Sequence, residues 1–175
     1  MDNILPLVYL CFLLAILAAA SWTVLRQVLK NRQIEMALAR LQNKLNNEKG
    51  TAQEYYELAS IYLDKKLYGQ AIGQYQKALK AEDAESENLA LIYNGLGFAY
   101  FAQEQYDLAI RNYKEALKLN PEYVTALNNL GHAYERKQLA PQALEAYEDS
   151  LKYEPNNQTA KRRAESLRKR FVTSA

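Results

Sequence analysis

The sequence predicts an all-α protein in which an N-terminal transmembrane helix precedes an α-solenoid of three helix hairpins and a C-terminal capping helix. Two observations predict this fold: an uncharged run of 22 residues begins at Ile4, and one residue pattern recurs three times between residues 52 and 157. The predicted elements are a transmembrane anchor at 4–25, a juxtamembrane helix at 26–50, a first repeat at 52–85, an insertion at 86–89, a second repeat at 90–123, a third repeat at 124–157 and a basic capping helix at 158–172.

The composition excludes several classes of protein. A hydrophobic content of 49% with 24% charged residues is ordinary for a globular chain, so disordered and collagen-like classes do not apply. The single cysteine, Cys11, has no partner for an internal disulfide, and we interpret it as a packing residue. Residues 26–50 carry six Lys/Arg against two acids, residues 51–157 ten against sixteen, and residues 158–175 six against one. An acidic body therefore lies between two basic ends.

The anchor is the uncharged run ILPLVYLCFLLAILAAASWTVL. As a helix it would be roughly 33 Å long, against a hydrocarbon core of about 30 Å. A cleaved signal peptide is the alternative, because AAAS resembles a small-residue cleavage site. Signal peptides carry Lys/Arg before a short apolar run, whereas here Asp2 precedes the run and Arg26, Lys30 and Arg32 follow it. The charges favour an uncleaved anchor.

The same charges predict the orientation of the chain. Basic flanks stay on the cytoplasmic side, so residues 26–175 are expected in the cytoplasm or its organellar equivalent. The juxtamembrane helix carries an apolar stripe at helical spacing, and Gly50 is expected to end it. The stripe consists of Ile34, Leu38, Leu41 and Leu45. We expect it to pack on the first repeat and shield it, with a homodimeric coiled coil as the alternative.

The repeats contain the segments EYYELASIYLDKKLYGQAIGQYQKALKAED from residue 54, LIYNGLGFAYFAQEQYDLAIRNYKEALKLNP from residue 91 and TALNNLGHAYERKQLAPQALEAYEDSLKYEP from residue 125. The second and third are 34 residues apart, and the first and second 38 apart, which is one period plus a four-residue insertion. The matching positions are Leu58, Leu96 and Leu130; Ala59, Gly97 and Gly131; Tyr62, Tyr100 and Tyr134; Ala71, Ala109 and Ala143; Tyr75, Tyr113 and Tyr147; and Leu79, Leu117 and Leu151.

This pattern resembles the tetratricopeptide repeat, a 34-residue helix–turn–helix with large, Leu, Gly and Tyr positions in its first helix. Gly97 and Gly131 are expected to let the helices of a hairpin approach closely, with alanines of the second helix receiving them. Asp83 stands where Pro121 and Pro155 close the other repeats, which suggests a looser first junction. In the third repeat a serine replaces the alanine of the second helix.

Repeats of this kind stack into a superhelix whose concave side is lined by the first helices. The residues expected to line this partner groove are Tyr56, Ser60, Leu63, Leu91, Asn94, Phe98, Phe101, Asn128, His132 and Glu135. Two interpretations of Phe98 and Phe101 stay open: anchors for a protein partner, or packing on the insertion or the preceding helix. Chaperone-associated members of the family grip a terminal carboxylate with Lys and Arg. The corresponding positions here are uncharged: Tyr56, Ser60, Asn94, Gly95, Thr125 and Asn129.

The capping helix combines an apolar stripe of Ala160, Ala164, Leu167 and Phe171 with a basic face. The basic residues are Lys161, Arg162, Arg163, Arg168, Lys169 and Arg170. A solvating lid is one interpretation, and contact with anionic lipid headgroups or an acidic partner is the other. Nucleic acid is disfavoured because the neighbouring body is acidic.

Catalysis has little support in the sequence. His132 is the single histidine, and no nucleophile–base pair, phosphate-binding loop or metal-ligand spacing occurs. We therefore expect a non-catalytic protein without a cofactor or a small-molecule substrate, whose partner is a peptide or protein subunit.

The anchor MDNILPLVYLCFLL, the basic LRQVLKNR and three compact repeats together resemble the small thylakoid-anchored tetratricopeptide proteins of cyanobacteria and red-algal plastids. That resemblance implies a scaffold, with its repeats on the cytoplasmic or stromal face, that assists the assembly or stability of photosystem I by binding its subunits. The alternatives are a bacterial inner-membrane scaffold for an envelope or secretion complex, and a regulatory subunit that tethers an enzyme to the membrane.

Overall fold

The computed structural model describes residues 4–83 and 86–173. Over these residues the chain forms eight α-helices and no strand, which confirms the predicted all-α fold class. The helices are α1 (Ile4–Asn47), α2 (Ala52–Asp64), α3 (Tyr68–Ala78), α4 (Ser86–Ala102), α5 (Tyr106–Leu119), α6 (Val124–Arg136), α7 (Ala140–Tyr153) and α8 (Gln158–Thr173). The chain divides between residues 43 and 44 into two compact units.

Helix α1 is one continuous helix of 44 residues. The predicted anchor at 4–25 and juxtamembrane segment at 26–50 therefore share a helix, which ends at Asn47, three residues before Gly50. Its most apolar 18-residue window has a mean hydropathy of 2.3, and no residue of that window is buried. By length and composition the helix is able to cross a membrane. The packing of the juxtamembrane stripe on the first repeat stays a prediction.

Three hairpins follow, formed by α2 with α3, α4 with α5, and α6 with α7. Each hairpin turn contains one residue in the left-handed region, namely Lys66, Glu104 or Gln138, all with φ of 60°. In each turn a tyrosine carbonyl accepts a hydrogen bond from the N–H group five residues later, which is the pattern of a Schellman motif. These bonds join Leu67 N to Tyr62 O (2.8 Å), Gln105 N to Tyr100 O (2.9 Å) and Leu139 N to Tyr134 O (2.9 Å). The three turns therefore share the same backbone conformation and the same hydrogen bond.

The repeated glycines lie against tyrosine rings. A Cβ atom on Gly97 would lie 2.7 Å from Cε1 of Tyr113, and one on Gly131 would lie 2.8 Å from Cε1 of Tyr147. Both rings are buried and belong to the second helix of the same hairpin. The glycines therefore permit the close approach that the sequence predicts, but the tyrosines rather than the alanines receive them.

The first junction differs from the sequence-based expectation. Residues 86–89 form the beginning of α4, which has 17 residues where α2 and α6 have 13 each, so the insertion adds about one helical turn. Asp83 is not a sign of a loose junction, because its Oδ1 accepts a hydrogen bond from the backbone N–H of Ala52 at 2.9 Å. Together with the capping box of Thr51 and Glu54, this bond satisfies donors at the start of α2.

Helix α8 closes the stack. Ala160, Ala164 and Leu167 are buried and pack with Tyr147 of α7. The side chain of Phe171, the fourth member of the predicted stripe, lies outside the described residues. The helix is capped by Asn157, whose Oδ1 accepts a hydrogen bond from the N–H of Ala160 at 3.0 Å.

Candidate functional site

The first helices of the three hairpins form one surface, which we call the groove. Helix α4 contacts both α2 and α6, so the outer residues of these three helices lie side by side. None of the ten predicted groove residues is buried: Leu91 and Phe98 are exposed, and Tyr56, Ser60, Leu63, Asn94, Phe101, Asn128, His132 and Glu135 are half-buried. The structure thus places all ten where a partner could contact at least part of each side chain.

The centre of the groove carries an exposed apolar ridge. Leu91 and Phe98 lie two turns apart on α4 and expose 41% and 43% of their surface. Large apolar side chains exposed in this way on a helix face, with polar groups beside them, are typical of a protein-binding surface.

Phe101 has a different environment from Phe98. Its ring lies 5.4 Å from the ring of Tyr106 and 4.7 Å from that of His132, measured between centroids. It also packs against the buried cluster that contains Tyr113 and Leu130. Phe101 therefore joins the second repeat to the third, and Phe98 is the ring that stays accessible.

Asparagines and a phenol form a hydrogen-bonded chain beside the ridge. Asn129 donates from Nδ2 to Oδ1 of Asn94 at 3.0 Å, and Asn94 donates from Nδ2 to the hydroxyl oxygen of Tyr123 at 3.3 Å. Burial raises the pKa of the Tyr123 hydroxyl. The sequence analysis missed Tyr123, although it is an aromatic residue without a counterpart in the other repeats, which is the signal that identified Phe98.

The first-repeat end of the groove is aromatic. The rings of Tyr56 and Tyr75 lie 5.9 Å apart, and the hydroxyl of Ser60 lies 3.3 Å from that of Tyr75. Ser60 also donates to the carbonyl of Tyr56 at 2.9 Å. The tip of Tyr75 reaches Gly95, where a Cβ atom would lie 2.6 Å from Cζ of the ring. Burial raises the pKa of Tyr75 to about 12. Tyr56 and Ser60 thus both contact the buried Tyr75, and like Leu63 they are half-buried.

The third-repeat end of the groove is charged. Glu135 accepts a hydrogen bond at 3.2 Å from the guanidinium of Arg163, which belongs to α8. Burial, and next the positive charge of Arg163, lowers the pKa of His132. The amide oxygen of Asn128 is buried and has no hydrogen-bond partner among the described residues.

The predicted basic face of the cap divides into two groups. Arg163 and Arg168 hold α8 on the third repeat, since Arg168 donates two hydrogen bonds, at 2.7 and 3.2 Å, to Oε1 of Glu148 on α7. All six basic residues are exposed, and the second group consists of Lys161, Arg162, Lys169 and Arg170. The cap is therefore both a lid tied by ion pairs and a positively charged surface.

Comparisons with known proteins identify the repeats. The family models described as "Tetratricopeptide repeat" and "TPR repeat" match residues 52–84 and 124–157, and residues 97–138, respectively. The chain belongs to the tetratricopeptide repeat family. Members of this family present peptide-binding or protein-binding surfaces on stacked hairpins, and this chain is a protein-interaction scaffold of that kind.

The chain also has relatives among plastid proteins. It is 41% identical over 126 residues to the protein ycf37 of Cyanophora paradoxa, covering 72% of this chain and 73% of that protein. It is 36% identical to ycf37 of Guillardia theta, covering 73% and 72%. It is 38% identical to the tetratricopeptide repeat domain-containing protein PYG7, chloroplastic, of Arabidopsis thaliana. That match covers 71% of this chain but only 41% of PYG7.

Solved structures share the fold. The first tetratricopeptide domain of Spaghetti (RPAP3), bound to the HSP90 peptide SRMEEVD, superposes with a TM-score of 0.65 at 24% identity and covers 71% of this chain and 96% of that one. The crystal structure of MamA gives a TM-score of 0.64 at 25% identity, covering 77% and 74%.

Proposed function

We propose that this tetratricopeptide protein is a non-catalytic scaffold, anchored in the thylakoid membrane, which binds a segment of a photosystem I subunit in the groove and assists assembly or stability of that complex. The exposed ridge of Leu91 and Phe98 is the observation that carries the proposal, because it offers an apolar anchor beside amide groups able to hydrogen-bond a peptide backbone. The plastid relatives, and the resemblance to thylakoid-anchored proteins, support photosystem I as the partner complex.

Membrane anchoring is supported by the side chains of α1. Large apolar residues from Val8 to Leu29, including Trp22, are more than half exposed in most cases, which in a soluble protein would be an aggregation hazard. A bilayer would cover them, and the basic residues that follow would stay on the cytoplasmic or stromal side. Protease added to that side of sealed membranes should digest the repeats, and protection there would contradict this orientation.

The partner is tested by affinity purification of the tagged full chain from detergent-solubilised thylakoids, with bound subunits identified by mass spectrometry. We expect photosystem I subunits with the native chain and their loss with Phe98→Ser. Leu108→Ser is the matched control, because Leu108 is also an exposed apolar residue but lies on α5, the second helix of the same hairpin.

The outcomes separate the competing functions. Equal recovery of photosystem I subunits with both variants would exclude the groove as their binding site. Recovery of envelope or secretion components in place of photosystem subunits would favour the alternative function, a scaffold of the bacterial inner membrane.

A further inference from the structure

Resting on the proposed function, we infer that α8 adds a fourth row to the groove, and that Arg162 binds an acidic side chain of the same partner segment whose apolar residue lies on Phe98. The partner site would then be bipartite, with an apolar anchor in the second repeat and a carboxylate site on the cap. This assignment joins the groove and the basic face of α8 into one binding surface.

The register of α8 is that of a first helix. Helix α6 begins at Val124 and α8 begins at Gln158, 34 residues later. The buried positions of the two helices correspond at the same offset: Ala126 with Ala160, Leu130 with Ala164, and Ala133 with Leu167. In this register Arg162 takes the position of the groove residues Tyr56, Asn94 and Asn128.

Ion pairs show which side of α8 faces which neighbour. Arg163 reaches Glu135 of α6 at 3.2 Å, and Glu135 is a groove residue. Arg168 reaches Glu148 of α7 at 2.7 Å. At 100° per residue, Arg162 lies about 160° from the buried Ala164, so it points away from the packed face and onto the outer surface beside α6.

The charge of this end of the groove is available to a partner. The Nε atom of Arg162 donates to the carbonyl of Gln158 at 3.3 Å, and no carboxylate in the described part of the chain pairs with its guanidinium. Glu135, on the neighbouring helix α6, is already paired with Arg163. The other end of the groove carries Glu57 and the exposed Asp64. An acidic side chain is therefore complementary to the cap end and not to the first-repeat end.

The spacing of the two contacts limits the partner segment. Two steps between neighbouring helices, from α4 to α6 and from α6 to α8, span roughly 20 Å at 8–10 Å each. An extended chain covers that distance in about six residues. The carboxylate would be a side chain within the segment, because the positions that grip a chain terminus in chaperone-associated relatives are uncharged here.

The test uses the full chain in micelles of an uncharged detergent and fluorescein-labelled twelve-residue peptides of Gly and Ser. One peptide carries Phe and Glu six residues apart, a second carries Phe and Lys, and a third carries Ser and Glu. Fluorescence anisotropy should show that the Phe–Glu peptide binds about tenfold more tightly than either of the others. Arg162→Glu should reverse the preference between Glu and Lys, which loss of packing alone would not do.

Arg111→Glu is the matched control. Arg111 is exposed on α5, and its substitution changes the net charge by the same amount, so the Glu preference should persist. Equal binding of the Glu and Lys peptides, with both lost in Phe98→Ser, would overturn the role of Arg162 and leave the groove intact. Binding that is absent, or insensitive to Phe98→Ser, would overturn the groove as well. Displacement of the Phe–Glu peptide by dihexanoylphosphatidylglycerol, with no dependence on Glu, would assign Arg162 to a lipid headgroup.

Discussion

The two faces of α4 differ in whether their residues recur. On the inner face, Leu96 and Gly97 are buried and return 34 residues later as Leu130 and Gly131. On the outer face, Phe98 is exposed and its counterparts are Ser60 and His132. Residues that recur are those that the packing of one hairpin requires in every hairpin. Residues that do not recur either join neighbouring hairpins, as Phe101 does, or stay accessible to a partner, as Phe98 does.

The largest effect is expected on the inner face. Gly131→Ala would bring a Cβ atom to 2.8 Å from the buried ring of Tyr147, and we expect a loss of about 3 kcal/mol in the free energy of unfolding from overpacking. Gly73→Ala is the matched control, because a Cβ atom there meets nothing within 4 Å and should gain up to about 1 kcal/mol of helix propensity. Urea unfolding followed by circular dichroism measures the free energy of unfolding of both variants. Equal effects would show that the contact with Tyr147 does not limit position 131.

The next comparison is between the two phenylalanines of α4. Phe101→Ala removes contacts with His132 and Tyr106, and we expect a loss of about 2 kcal/mol, less than for a fully buried ring. Phe98→Ala should change stability by less than about 0.5 kcal/mol, as is usual at the surface, while it weakens partner binding. Thermal unfolding of the full chain measures the stability change of both variants, and a pull-down measures the loss of partner binding in Phe98→Ala. A stability loss of similar size in both variants would show that Phe98 is also a packing residue.

A smaller gain is expected at a buried hydroxyl of the inner face. Ser150 is fully buried, and its Oγ has no hydrogen-bond partner among the described residues. Its counterpart in the second repeat is Ala116, which is also fully buried. Ser150→Ala should therefore stabilise the protein by about 1 kcal/mol, and Ala116→Ser should destabilise it by a similar amount. Chemical denaturation measures the change in the free energy of unfolding of each variant. Changes of the same sign in the two variants would contradict the prediction.

The smallest effect concerns pH on the outer face. His132 is half-buried against Phe101 and is surrounded by Arg163, Arg136 and Glu135. Burial, and then Arg163, lowers its pKa in the folded state below the value of 6.5 in the unfolded chain. The unfolded state then binds more protons on acidification, so this contribution to stability is complete above pH 6.5 and declines below it. His132→Gln should flatten the decline between pH 7 and 5, and an unchanged slope would contradict the assignment.

Sequence reasoning located the helices because their signals are local. Apolar spacing, the repeated tyrosines and Pro141 at the second position of α7 all act within a few residues of chain. Asp83 and Tyr123 were misread or missed because their partners, Ala52 and Asn94, are 31 and 29 residues away. A residue that departs from the repeat pattern can be recognised in the sequence, but its distant hydrogen-bond partner cannot.

The sequence by itself determined the number of hairpins, their inner faces and the apolar character of α1, because each depends on periodicity and composition. Only the tertiary structure separated Phe98 from Phe101 and brought Arg163 of the cap to Glu135 of the groove. Both decisions depend on how neighbouring hairpins stack, and stacking joins residues about one repeat apart through side-chain volume and charge that no local pattern records.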